Sequence, residues 1–310
     1  MYHIKPHSIP HLQNFRLNTC FFLGILLVAI CKAYGQPVSL QGFVPQKITK
    51  AMISHEYRRI YEQLAPHKHI DQHPLSVTFF TTRGTARQDY ALPEWGGGGA
   101  IGRDSIVVAL DAEPFLYTDF ARITVHELVH IVIGRICTTA AVPRWFHEGV
   151  AMALSGDVTS AEHVALSRAI FTGSLMPLAS IDSVNAFGRH RARLAYAQSH
   201  QAVLFLVRSY GIEVLSEILS RSAQQGSFWG GMRETLQLSE REIEGMIRSY
   251  LIRKFRLVFF FADTYLLWLG IVLLFAVGYT VTAIRNRRRA AAMADEEERE
   301  TAASAGQAGQ

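Results

Sequence analysis

Cysteine is scarce in this sequence. Only three occur in 310 residues, at positions 20, 31 and 137. The first two fall in an N-terminal stretch that we predict to be removed, which would leave Cys137 alone. The mature chain then has no internal disulfide. Because an oxidising compartment permits disulfides without requiring them, this low count does not argue against export.

Charged residues are also few. They make up 18% of the chain, against 49% hydrophobic residues. The apolar excess is concentrated in two places, residues 21–30 and residues 257–284. The formal net charge of +5 includes an arginine cluster and the N-terminal leader, so it says little about an acidic partner. We find no nucleic-acid signature and no internal repeat.

The first apolar segment has the features of a secretory signal peptide at residues 1–35. A basic, His-rich lead-in precedes the run FFLGILLVAI, and small residues surround a cleavage site after Gly35. An uncleaved anchor is the alternative, but ten apolar residues are too few to cross a hydrocarbon core of about 30 Å. Acylation at Cys31 is disfavoured because Ile30 is bulky.

The second apolar segment predicts a transmembrane region at residues 257–284. The 21 residues from Thr264 to Ile284 carry no charge. As a helix they would be about 31 Å long, which is enough to cross the hydrocarbon core. The arginine cluster at 285–289 places its flank in the cytoplasm. Trp268 and Tyr279 near the ends disfavour the alternative of a buried core helix. We expect residues 285–310 to form a disordered cytoplasmic tail.

The intervening residues 36–256 predict an extracytoplasmic α+β domain, which begins with mixed strands and helices and becomes all helical. A glycine run near 96–99 reads as a flexible turn, because no phosphate-binding motif follows it. Periodicity predicts strands at 75–80 and 105–110, one amphipathic helix in the stretch 36–65, and helices at 118–133, 144–154, 193–210, 212–220 and 240–255. Gly134 is the predicted stop of the helix at 118–133.

The stretch HELVH, residues 126–130, carries the chemistry. Residues four apart share a helix face, so His126 and His130 can reach one ion. Zinc accepts imidazole nitrogens and keeps a position open for water when a protein supplies three ligands. Glu127 can take the proton from that water. The sequence therefore predicts a Zn²⁺ site in which Glu127 is the general base.

The third ligand should come from the next helix, in PRWFHEGVA. Both Glu148 and His147 suit zinc, but neighbouring helical residues diverge by about 100°, so only one can face the ion. The two motifs together resemble the gluzincin, or thermolysin-like, metallopeptidases, and most closely the peptidase MA-like domains of bacterial exported proteins. This resemblance implies His126, His130 and Glu148 as the metal ligands.

The resemblance further implies a zincin-like domain with a small mixed sheet, an active-site HExxH helix and a C-terminal helical subdomain. It implies an extended peptide lying along the strand 105–110, as an edge strand. Tyr196 or His200 could donate to the oxyanion, although both could equally be structural. Met152 replaces the acidic residue often found one turn after the glutamate ligand, and Asp157 is only a weak substitute.

These observations predict a membrane-anchored metallopeptidase that acts on peptides or proteins outside the cytoplasmic membrane, in the periplasm or beyond the cell. Its C-terminal helix would cross the lipid bilayer once. The main alternative is a membrane-anchored binding or assembly module with a structural or vestigial zinc site. An intramembrane protease is disfavoured, because the HELVH motif is more than a hundred residues from the long apolar run.

Overall fold

The structure, a computed structural model, describes residues 36–90, 92–93, 96–111, 119–156, 160–256 and 264–307. The predicted signal peptide lies outside these residues, as do Thr118 and Asp157. The described chain is a mixed α+β protein that is mostly helical, with one small sheet. This architecture confirms the predicted fold class at that level.

Four strands form the sheet, in the spatial order β1–β2–β4–β3. The strand β1 is parallel to β2 and β2 is parallel to β4, whereas β3 pairs with β4 antiparallel. Leu75, Val77 and Phe79 of β2 are buried in alternation, which is the period-2 pattern of a strand with one face on the core. The strands are β1 (Val38–Gly42), β2 (Leu75–Phe80), β3 (Gly98–Ile101) and β4 (Ser105–Ala109).

Ten α-helices and one 3-10 segment account for most of the remaining described residues. The helices are α1 (Lys50–Leu64), α2 (Arg83–Tyr90), α3 (Phe120–Ile136), α4 (Arg144–Ser155), α5 (Ser160–Phe171), α6 (Arg189–Tyr210), α7 (Val214–Gln225), α8 (Phe228–Leu236), α9 (Glu240–Phe255) and α10 (Thr264–Gln307), and the 3-10 segment is Leu178–Ala186.

The helix α3 lies at the centre of the main core. It packs against the sheet on one side and against α1, α4 and α7 on the others. It is apolar on nearly every face, as expected for a helix buried all round. The helix α4 packs in turn on α6. This arrangement brings the HELVH motif against the edge of the sheet and the start of α4.

The prediction that residues 105–110 form an edge strand is wrong. The strand β4 lies between β2 and β3, so the sheet ends at β3 instead. The glycine run is also more than a turn, because Gly98 and Gly99 belong to β3. A Cβ on Gly98 would lie 2.8 Å from Ile123 Cγ2, and one on Gly99 would lie 2.5 Å from Leu92 Cδ2. These close approaches explain why glycine occupies both positions of this strand, since a side chain would collide with its neighbours.

The helix α3 does not stop at Gly134. It continues to Ile136, because Arg135 is buried and anchors the last turn. The Arg135 guanidinium donates five hydrogen bonds that join α3 to α1, to the start of β2 and to the β3–β4 turn. Its partners are the carbonyls of Arg103, His73 and Pro74, the Tyr57 hydroxyl and the Asp104 carboxylate, at 2.8 to 3.1 Å.

The helix α10 contains the one candidate membrane span in the described part of the chain. Within Trp268–Glu296, an 18-residue window has a mean hydropathy of 1.7 and is not buried against the rest of the protein. The structure differs from the sequence prediction after residue 284, because the helix continues to Gln307 where we expected a disordered tail. Residues 290–292 are all alanine, which has the highest helix propensity.

We expect Arg135→Met to lower the free energy of unfolding by about 2 to 4 kcal/mol, because the methionine fills the space but leaves buried acceptors without donors. Urea unfolding of the full-length protein in detergent, followed by tryptophan fluorescence, measures this change. Arg248→Ala, on the exposed face of α9, is the control and should stay within about 0.5 kcal/mol of the wild type. Equal stability of Arg135→Met and the control would contradict the anchoring role.

Candidate metal centre

The helix α3 begins at an aspartate cap. The Asp119 carboxylate accepts a hydrogen bond of 3.0 Å from the backbone N–H of Ala121, and so satisfies one of the donors left free at a helix start. Seven residues later His126 begins the HELVH motif. The two histidines are four positions apart, so both side chains project from the same face of α3, toward α4.

The helix α4 begins immediately after Pro143, whose fixed φ suits the start of a helix. Pro143 has no side-chain cap to offer, and the cap comes from the 3-10 segment instead. There the Asp182 carboxylate accepts a hydrogen bond of 2.7 Å from the Arg144 backbone N–H. One turn into α4, Glu148 is 1% exposed and faces the histidines of α3.

Three ligand atoms converge between α3 and α4. His126 Nε2 lies 3.1 Å from Glu148 Oε2, and His130 Nε2 lies 3.4 Å from the same oxygen. The two histidine Nε2 atoms are 3.3 Å apart. This is the one group of three or more metal-type side chains found among the described residues. The structure therefore contains a compact, nearly buried His/His/Glu cluster.

The spacing of this cluster fits a small divalent cation. Ligand atoms at about 2.0 to 2.1 Å from a tetrahedral ion stand about 3.3 Å from one another. The three observed separations lie between 3.1 and 3.4 Å. Two imidazole nitrogens and one carboxylate oxygen are also the mixed donor set that zinc accepts. The residues present therefore fit the metal that the sequence predicted.

Arg144 compensates the buried charge of Glu148. Its Nε atom lies 2.8 Å from Glu148 Oε1, the carboxylate oxygen that faces away from the histidines. Burial alone would raise the pKa of Glu148, but Arg144 and the two histidines outweigh it and hold that pKa well below its usual range. Glu148 in turn raises the pKa of Arg144. Glu148 is therefore an ionised carboxylate that can serve as a ligand.

His147 contacts the cluster from outside. Its Nδ1 lies 3.3 Å from Nδ1 of His130, on the opposite side of that ring from the cluster. Burial, followed by the proximity of His130 and Arg144, lowers the pKa of His147 to about 3, so its ring is neutral. A neutral ring can accept the Nδ1 proton of His130 and leave the His130 Nε2 lone pair for a metal. His147 therefore stands outside the cluster that His126, His130 and Glu148 form, beside the His130 ring.

Glu127 lies between the cluster and the edge of the sheet. It is 8% exposed and lines the cleft. A Cβ on Gly98 of β3 would lie 3.3 Å from Glu127 Cγ, so the glutamate packs directly over this glycine. The absence of a side chain at position 98 therefore provides the space that Glu127 occupies.

The structure separates the two candidate oxyanion donors. Tyr196 of α6 lines the cleft and forms a side-chain hydrogen bond with Arg144. Burial, together with the charge of Glu148, raises the pKa of Tyr196 well above its usual value, so its hydroxyl keeps the proton. His200, one turn further along α6, is outside the cleft lining and its Nδ1 lies 3.5 Å from Glu162 of α5. Only Tyr196 is therefore placed near the cluster.

A cleft of about 450 Å³ passes over the cluster. Its walls are the edge strand β3 with the turn that follows it, and the α3 residues His126, Glu127, His130 and Gly134, with Cys137 just beyond the helix end. Asn185 of the 3-10 segment closes one side. Because β3 carries the unpaired edge of the sheet, an extended peptide entering the cleft would meet β3 and not β4.

A buried His/His/Glu cluster under a cleft at a sheet edge defines a metallopeptidase-like domain. The family comparison agrees: the family model of the Peptidase MA superfamily matches residues 68–237, which is more than half of the chain. The chain belongs to the Peptidase MA superfamily. A search of the curated proteins finds no match. This superfamily is typically metal-dependent, and it also includes members without catalysis.

Sequence reasoning missed two residues of the site. Arg144 gave one available signal, because it precedes Glu148 by four residues, and such pairs meet on a helix. Asp182 gave none, since its contact with α4 joins positions 38 residues apart. Its role could be found only once the 3-10 segment was seen to fold back against the start of α4.

We expect Gly149→Ala to destabilise the protein strongly. A Cβ at this position would lie 2.3 Å from the Ser199 carbonyl oxygen of α6, so α4 would have to move and carry Glu148 with it. Gly245→Ala in α9 is the matched control: its Cβ would meet nothing within 4 Å, and alanine should stabilise that helix by about 0.5 to 1 kcal/mol. Thermal unfolding measures both, and the same sign for the two would contradict the close crossing of α4 and α6.

Proposed function

We propose that the protein is a zinc-dependent metallopeptidase. The observation that carries this proposal is the juxtaposition of a tetrahedrally spaced His126/His130/Glu148 cluster with Glu127 in one cleft. A purely structural zinc site needs closed coordination and no neighbouring base. This cluster offers three ligands and opens onto a cleft of about 450 Å³, which favours an enzyme over a binding or assembly module.

His126, His130 and Glu148 would hold the zinc ion, which when bound supplies a Lewis acid that polarises a carbonyl and lowers the pKa of water. Glu127 takes the proton of the attacking water and passes it to the leaving amine. Tyr196 keeps its hydroxyl proton and can donate a hydrogen bond to the oxygen on which negative charge develops. The free edge of β3 aligns the peptide by main-chain hydrogen bonds.

We further propose that this domain works outside the cytoplasmic membrane, with residues 1–35 as a signal peptide and residues 36–256 as the extracytoplasmic domain. The supporting observations are the uncharged run Thr264–Ile284, which lies in the unburied candidate span, and the arginine cluster that follows residue 284. Positive residues favour the cytoplasmic side of a span. The cleft would then face the periplasm or the cell exterior, and α10 would cross the bilayer.

We expect Glu127→Gln to retain zinc but to lower kcat/KM on a mixed peptide library by about a hundredfold to ten-thousandfold, because the amide cannot accept the water's proton. The full-length protein in detergent is assayed for zinc content and for cleavage by mass spectrometry, with and without chelator. Glu240→Gln, on the exposed first turn of α9, is the control. Wild-type cleavage rates in Glu127→Gln would refute the assignment, and no chelator-sensitive cleavage by the wild type would favour the binding module.

We expect the third ligand to be identified by comparing Glu148→Ala with His147→Ala. Loss of Glu148 removes a ligand and should abolish stoichiometric zinc binding. Loss of His147 removes only the partner of His130 and should weaken zinc binding by about tenfold to a hundredfold. Zinc dissociation constants from chelator competition measure both, with His190→Ala, an exposed position on α6, as the control. Weaker zinc binding in His147→Ala than in Glu148→Ala would exchange the two roles.

A further inference from the structure

Arg144 presents more hydrogen-bonding capacity than its contact with Glu148 uses. Its Nε atom is buried and forms an ion pair with Glu148 Oε1 at 2.8 Å without hydrogen-bond geometry, and 37% of the side-chain surface is exposed. The same residue lines the cleft. A guanidinium has five donors in a planar fork, so a single Nε contact leaves the two Nη groups available.

Tyr196 occupies only part of this remaining capacity. Its hydroxyl forms one side-chain hydrogen bond with Arg144 and is itself buried. The two Nη groups carry four N–H donors. Arg144 therefore has donors for a further acceptor on the exposed side of the guanidinium, next to the metal ligand Glu148. Such a fork matches the two oxygens of a carboxylate.

The charges of the cleft favour an anionic group. Among the described residues that line it, the formally charged side chains are Arg103 and Arg144 on the positive side and Glu127 and Glu148 on the negative side. A bound divalent cation would make the positive charges outnumber the negative ones. In a partly buried cleft such an imbalance attracts anions more strongly than it would in water.

Arg103 differs from Arg144 in position and exposure. It is exposed, stands on the turn between β3 and β4, and its Nη2 donates a long hydrogen bond of 3.4 Å to the Thr138 carbonyl beyond the end of α3. It contributes charge to the far end of the cleft. Arg144, which touches Glu148 directly, is the cation closest to the place where the scissile carbonyl would lie.

We propose that the Nη groups of Arg144 bind a carboxylate of the substrate within about one residue of the scissile bond. This inference rests on the proposed peptidase function and names its substrate class, peptides with an anionic group at that place. The carboxylate is either the free C-terminus, which makes the enzyme a carboxypeptidase, or an Asp or Glu side chain, which makes it an endopeptidase for acidic sites.

The test measures binding and not hydrolysis. Fluorescently labelled, N-terminally blocked hexapeptides are titrated into the zinc-loaded full-length Glu127→Gln variant in detergent, and anisotropy gives Kd. One arm compares a free C-terminal carboxylate with a carboxamide. The other arm moves a single Glu, or a matched Gln, through each position of an amidated peptide. In one arm, we expect the carboxylate peptide to bind at least about tenfold more tightly than its amide partner.

Two variants in the Glu127→Gln background assign this preference to Arg144. Arg144→Gln removes the cation, and Arg144→Lys keeps the charge but replaces the planar fork with a single ammonium, which cannot make the two parallel hydrogen bonds to a carboxylate. We expect the carboxylate-to-amide ratio to fall below about threefold in both. Arg103→Gln is the matched control and should keep the ratio.

Each outcome supports or overturns the proposal. A ratio near one in both arms overturns it, and so does a tenfold ratio that persists in Arg144→Lys or that disappears in Arg103→Gln. Zinc content is measured for every variant, and Arg144→Lys decides the result if Arg144→Gln fails to fold or loses its metal. Cleavage by the wild type is measured separately. An Arg144-dependent preference without cleavage would overturn the hydrolase and leave the carboxylate site standing, whereas cleavage without that preference would do the reverse.

Discussion

The ionised carboxylate of Glu148 is the constraint on which the site depends, because a charge that is 1% exposed is costly unless opposite charge surrounds it. The chain meets this requirement from two sides. Arg144 faces one oxygen from the same helix, and the two imidazoles of α3 face the other. The imidazoles can reach Glu148 only if α4 lies close against α3, and α4 also packs closely against α6, where a glycine immediately follows Glu148. The close packing of α4 and the His/His/Glu cluster therefore depend on each other.

The sequence predicted well the elements whose signals are local. The alternation in β2 and the helical spacing of α3, α4 and α9 each correspond to an element in the structure, with ends shifted by a few residues. The helix expected in the stretch 36–65 is α1, but it begins only at Lys50, and the expectation missed the strand β1 at Val38–Gly42. The mixed α+β class followed from them, and the family suspected from HELVH and PRWFHEGVA is the one whose family model matches residues 68–237. Spacing four residues apart on a helix also predicted that His126 and His130 would meet. These successes share one reason: neighbours along the chain decide them.

The failures concern contacts between distant parts of the chain. The glycine run near residue 98 predicts a turn, but the structure has the strand β3 there. Glycine is needed in this strand because Ile123, which is distant in the sequence, and Leu92, which lies in the preceding loop, leave no room for a side chain. The order of strands in the sheet made β3 the edge, and no periodicity reports that order. Gly134 did not end α3, since the hydrogen bonds of Arg135 to distant carbonyls outweigh a local stop signal. The capping box of Ser239 and Glu242 at the start of α9 is the opposite case, because its two residues lie within one helical turn and can be read directly from the sequence.

The position of Arg135 has a consequence for how the cleft can move. Its guanidinium joins the last turn of α3 to the turn between β3 and β4, so the two walls of the cleft are fastened together at one end. Widening there would break both of these partly buried hydrogen bonds. Any opening of the cleft must then pivot about this end, so the separation of the two walls would increase with distance from Arg135.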